Sequence, residues 1–360
     1  MSQVFDSDGH ICEPPTLWAE YTERAYRDRV LQVRDDSLFL EGRSWGLNPA
    51  FACIPGQFSN RDATWDDILP GSWEPFARLR VLDEEGIDAA SFFPTLYLLI
   101  GDVQDAEVAA AMCRAYNRWL ADFCASDPER LFGVGLVPMQ SVPHAVDEAK
   151  RLRGLGLRGI ITRPERYRGR ALYDPAYDAL WDLAQSEDLP ICVHGSFGTR
   201  MDNFSSGRYG GNLFYRHMLD HPFGQMAALM DVVAGGVLDR FPGLRVGFFE
   251  SGLGWLPYWL NRLDEHYEIM GGETPWLARR PSDIFRAQCF VSMEGDERSG
   301  LEQCAELGIA DCALWGSDYP HFDAKYPGAA TEALETFAAV GGGVSEKILG
   351  ANPRRFYGLD

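Results

Sequence analysis

Gln3-Val4-Phe5-Asp6-Ser7-Asp8-Gly9-His10 opens the chain as a short apolar run that ends in acids and a histidine. Side chains alternate across a strand, so Asp6, Asp8 and His10 share one side, and Asp8 and His10 can grip one ion from a single strand end. Seven more short apolar runs follow, at 89–93, 132–137, 159–162, 190–194, 245–250, 289–293 and 312–316. Longer amphipathic stretches separate most of them. Residues 106–125, for example, space Val108, Met112, Tyr116, Trp119, Leu120 and Phe123 at helical intervals. Alternating strand and helix implies a parallel sheet with right-handed crossovers. Eight such units predict an α/β fold closed as a (β/α)8 TIM barrel, one domain over residues 1–360. An open doubly wound sheet is the alternative.

Two segments break the rhythm. Residues 24–72 follow strand 1 and include an expected hairpin, 30–33 with 37–40 across an Asp35-Asp36 turn. Residues 195–222 follow strand 5 and are rich in glycine. Both inserted loops follow strands, so in a barrel both cover the active-site mouth, and the second reads as a mobile lid.

The bulk properties narrow the function. The 360 residues are 46% hydrophobic, enough for a large core. The formal net charge is −20, and an acidic surface repels phosphate backbones, which argues against nucleic acid. No apolar run approaches the ~20 residues of a membrane span. The N-terminus has no signal-peptide pattern. The eight cysteines include no Cys-x-x-Cys pair and several sit in apolar runs, which reads as reduced core thiols in a cytoplasmic protein. A homo-oligomer is compatible with all of this.

The chemistry-bearing residues gather at strand ends. Strand 5 ends in Val193-His194-Gly195, and strand 8 in Gly316-Ser317-Asp318-Tyr319-Pro320-His321. In a barrel Asp8, His10, His194 and Asp318 converge on the axis, where N and O donors suit one divalent ion. Taken singly, each has an ordinary reading: a strand-end histidine is commonly hydrogen-bonded structure, and an Asp after Gly-Ser can cap a helix. Their combination carries the expectation.

These motifs resemble the amidohydrolase superfamily, and in particular the amidohydrolase-related branch that includes aminocarboxymuconate semialdehyde decarboxylase. The resemblance covers nearly the whole chain. Gly236-Val237-Leu238-Asp239-Arg240-Phe241-Pro242 and the terminal Asn352-Pro353 segment add to it. It implies that His10, His194 and Asp318 are ligands of one divalent metal. Two departures matter. Asp8 stands where the decarboxylase has a histidine, and the resulting two-Asp, two-His set shifts the choice among zinc, manganese and iron toward the last two. Glu250 stands at the end of strand 6, where relatives place a catalytic histidine, and can act as acid or base or simply pair with an arginine.

Further candidates are weaker. Glu13 is an extra ligand or a helix-entry carboxylate. Arg163, at the end of strand 4, holds a substrate carboxylate or pairs with Glu165 or Glu250. His321 shuttles protons or supports Asp318. Phe197, Tyr97 and Trp255 suit an apolar substrate, or are core. His217 and His221 read as structural. The resulting expectation is a metal-dependent lyase or hydrolase of a small carboxylated or cyclic molecule, decarboxylase-like C–C cleavage ranking first. Hydrolysis of an amide, ester or lactone, or hydration, comes next. A non-catalytic binding barrel is the rival class.

Overall fold

The computed structural model describes residues 3–34, 37–45, 50–56, 62–195, 208–210 and 212–359. Eight parallel strand positions run through the molecule. They are β1 (Phe5–Ile11), β2 (Ala89–Pro94), β3 (Leu131–Gly133 continuing as Gly135–Leu136), β4 (Ile160–Thr162), β5 (Ile191–His194), β6 (Val246–Phe249), β7 (Cys289–Met293) and β8 (Ala313–Trp315). The first part of β3 pairs with β2 and the second with β4, so Val134 joins the two runs of the sheet. The seam between β8 and β1 is made just past β8, where Asp318 N donates to Asp8 O at 2.9 Å and His10 N to Tyr319 O at 2.7 Å. A side chain at Gly316 would collide with Cβ of Asp8, so only glycine lets β8 approach β1 here. The fold is a TIM barrel, as the eight runs imply.

A helix follows each strand: α1 (Pro75–Glu85), α2 (Ala106–Cys124), α3 (Val142–Leu152), α4 (Asp178–Ser186), α5 (Leu213–Leu229), α6 (Leu256–Met270), α7 (Arg298–Glu306) and α8 (Ala329–Val340). Helix α2 shows why. Asp105 caps it by accepting from the amides of Glu107 and Val108, and Val108, Met112, Tyr116, Trp119, Leu120 and Phe123 are all buried. Each such side chain contributes roughly 1.5–3 kcal/mol on burial. The Asn352 amide donates to Ala310 O (2.9 Å) and Ala313 O (2.7 Å), which gives the terminal Asn-Pro segment a physical purpose: it fastens the start of β8.

The structure departs from the sequence expectation in three places. The last ten residues of the expected loop 195–222 are helical. Helix α5 starts at Leu213, capped by Asn212, and continues through Pro222. His217 and His221 therefore lie on a helix, while residues 196–207 and 211 of the expected lid lie outside the described residues. The segment after β1 forms a small antiparallel sheet of three strands, Gln32–Arg34, Ser37–Leu40 and Arg43–Ser44, one more than the expected hairpin. Its Asp35-Asp36 turn is also outside the described residues.

The third correction concerns sulfur. Cys12 and Cys53 are joined as a disulfide across 41 residues, with Cα atoms 6.1 Å apart. Such a pairing leaves no local spacing signal. The other six cysteines are buried free thiols. The bond sits in its own small cluster with Ala50, Ile54, Ala63 and Ile68, and fastens the first insert to the end of β1. Denatured protein kept from reductant should show six reactive thiols, rising to eight after dithiothreitol. Reduction should cost roughly 2–4 kcal/mol of stability, read from denaturant midpoints. Eight thiols at the outset would dismiss the bond. Among the described residues no helix is long and apolar enough to cross a membrane.

Candidate metal centre

His10 and His194 are wholly buried at the ends of β1 and β5. Nδ1 of His10 lies 3.0 Å from Pro94 O, and Nδ1 of His194 lies 2.7 Å from Gly195 O. A carbonyl only accepts, so each Nδ1 carries the proton and each Nε2 presents a lone pair. Those two Nε2 atoms face each other at 3.1 Å. Nε2 of His194 is 3.2 Å from Asp8 Oδ1, and Nε2 of His10 is 3.3 Å from Asp318 Oδ1. Two lone pairs and two carboxylates pointed at one space repel unless a cation lies between them. Metal-bound histidines are typically oriented in this way, by a backbone carbonyl on the far nitrogen.

The electrostatics agree. Burial, then His321 and His194, push the His10 pKa well below the usual imidazole range. Burial, then Asp323, Asp8 and Glu294, push the Asp318 carboxyl well above its ordinary range. Burial also raises Glu250 to about 8, with Asp318 and Asp323 adding and His194 and His321 opposing. One positive charge at the centre relieves all three. Asp8, His10 and His194 each place one donor atom within 4.8 Å of the other two, a set that fits a divalent ion, and Asp318 flanks it through His10 and His321.

Neighbouring side chains hold these groups in place. β1 is irregular between Asp6 and Gly9, which turns Asp6 away from the ligand cluster. Its carboxylate accepts instead from Ser317 N (2.9 Å) and Ser317 Oγ (2.6 Å). Ser292 Oγ donates to Asp8 Oδ2 at 2.9 Å and accepts from Glu250 N at 3.0 Å. The Gln225 amide donates to Val193 O and Phe249 O, fastening the ends of β5 and β6. Sequence reasoning passed over Ser292 and Gln225. The available signal was one hydroxyl inside the apolar run Cys289–Met293. Glu250 and Asp318 both have positive φ, 56° and 54°. That left-handed backbone costs a non-glycine residue about 1 kcal/mol or more and persists mainly where structure around it enforces it.

The remaining candidates divide. His321 joins the centre: its Nδ1 is 2.7 Å from Asp318 Oδ1, its Nε2 is 3.2 Å from Thr95 Oγ1, and its ring lies 3.9 Å from that of His10. Glu250 also faces it, with Oε2 3.3 Å from His194 Nδ1. Glu13 does not. Both its oxygens accept backbone amides, from Leu96 at 2.8 Å and Tyr97 at 2.9 Å, so it shapes the turn after β2. Arg163 is committed as well. Its guanidinium pairs with Glu165 at 2.9 Å and lies 3.5 Å from Asp102, fully buried, so the expected carboxylate anchor is an internal ion pair. Tyr97 is core, its ring 5.9 Å from Tyr116 of α2. Trp255 donates to Gly252 O at 2.8 Å and braces the loop after β6. Phe197 lies outside the described residues.

A barrel with such a centre at its C-terminal mouth defines a metal-dependent enzyme of the amidohydrolase class. The family model described as Amidohydrolase matches residues 6–359, and the chain belongs to that family. It is 23% identical over 300 residues to 2-amino-3-carboxymuconate-6-semialdehyde decarboxylase of Dictyostelium discoideum, covering 82% of this chain and 79% of that protein. An amidohydrolase from Mycobacterium avium subsp. paratuberculosis K-10 superposes with a TM-score of 0.83 at 20% identity, covering 99% of both chains. A dihydroxybenzoic acid decarboxylase from Polaromonas sp. JS666, solved with manganese and 2-nitroresorcinol, superposes at 0.69 with 19% identity, covering 100% of this chain and 98% of that one.

Proposed function

We propose that this protein is a metal-dependent carboxy-lyase acting on a small carboxylated, unsaturated or aromatic acid. The observation that carries the reading is the Asp318–His321 pair, 2.7 Å apart, beside two imidazoles fixed as lone-pair donors. The decarboxylase relatives add to it. When bound, the divalent ion polarises and orients substrate oxygens. The protein supplies the proton. Loss of carbon dioxide breaks one C–C bond and leaves its electron pair on the ring or alkene carbon, and one proton must arrive there. Asp318 carries that proton and His321 relays it, with Thr95 Oγ1 holding the far ring nitrogen. The substrate carboxylate is held without Arg163, whose charge is spent internally.

The test is direct. Manganese-loaded enzyme is offered hydroxybenzoates and carboxylated dienes in D2O. The expected result is carbon dioxide release with one deuterium at the vacated carbon. No carbon dioxide from any acid, together with hydrolysis of a lactone or amide in a parallel panel, would reject the reading.

A further inference from the structure

Through Oε1, Glu250 also faces a second group of donors. His217 and His221 are one helical turn apart on α5, with ring centroids 4.3 Å apart. Histidines at i and i+4 share one helix face and can hold one ion. His221 Nδ1 lies 3.9 Å from Glu250 Oε1, and His217 Nε2 lies 3.3 Å from Asp323 Oδ2. One donor atom from each of His217, His221 and Glu250 falls within 4.8 Å of the other two. Atoms bound to one ion at about 2.1 Å stand at most about 4.2 Å apart, so closure needs only a small inward shift.

Charge points the same way. Asp8, Glu250, Asp318 and Asp323 ring the two clusters, and each has only histidine as an ion-pair partner among the described residues. One divalent ion offsets two of those four charges.

We propose that His217, His221 and Glu250 form a second divalent-cation site beside the first, with Asp323 holding His217. The two sites share a wall and no ligand atom: His194 gives Nε2 to the first centre, and its Nδ1 proton to Gly195 O. The second site takes a borderline ion with two nitrogen donors and one carboxylate, such as manganese or zinc. It stands apart from the reaction proposed above, because the number of bound ions is the same whichever bond the enzyme breaks.

The experiment strips the full-length protein with chelator, dialyses it against manganese and counts ions by elemental analysis. Wild type should bind two equivalents. His217→Ala should bind one at wild-type affinity, its second weakened at least about tenfold. Asp323→Asn, a milder change, should weaken the same equivalent. The retained first equivalent certifies that each variant is folded. If His217→Ala loses both ions, Asp323→Asn alone decides. Wild type saturating at one equivalent, or both variants keeping two, would overturn the site.

Discussion

His194→Ala should yield a folded protein with no stoichiometric metal at the first centre and no turnover above background. His194 closes the ligand set: its Nε2 touches both His10 Nε2, at 3.1 Å, and Asp8 Oδ1, at 3.2 Å. Without it, the remaining donors no longer surround the ion. The fold should survive, because β5 is held by backbone pairing to β4 and β6 and by Gln225. The new cavity costs a few kcal/mol, offset in part by removing a buried lone pair. Elemental analysis, a turnover assay and a cooperative melt decide the matter. A full metal complement with normal turnover would mean that the four donors do not form a metal centre.

Glu250→Gln should cut turnover by about 10²–10⁴-fold while the first metal equivalent stays. Gln keeps the side chain's shape and hydrogen-bonding capacity and loses its charge and its proton. The backbone at 250 is held by Ser292 Oγ and is not disturbed. The ion count then says how the carboxylate works. Loss of the second equivalent along with turnover marks Glu250 as a ligand. Retention of both ions with the same loss marks it as a proton carrier and removes it from the second site. A loss below about tenfold would make it structural and leave proton transfer to Asp318 and His321.

Much of this molecule is legible in its sequence because barrel strands are short, apolar and regularly spaced. The candidate ligands Asp8, His10, His194 and Asp318 stand out because each lies at or near the end of such a run, where side chains can reach the mouth. What escaped depends on partners distant in sequence. Arg163 at a strand end looks available until Asp102 and Glu165 are seen to enclose it. Cys12 and Cys53 look like separate core thiols until the first insert folds back. His217 and His221 fall in the glycine-rich stretch 195–222 that reads as a loop, yet both lie on α5. Asp6 seemed to share a face with Asp8, but the irregularity in β1 breaks the alternation that the argument assumed.

The left-handed backbone at Glu250 and Asp318 has a wider consequence. Glycine would occupy either position without strain, and also without a carboxylate. A sequence under selection for folding alone would drift toward glycine at both. That this one keeps Glu and Asp there means the barrel carries a standing debt of stability at its mouth, sustained by its rigid remainder. Homologues that have lost the chemistry and kept the fold should be recognisable by that drift.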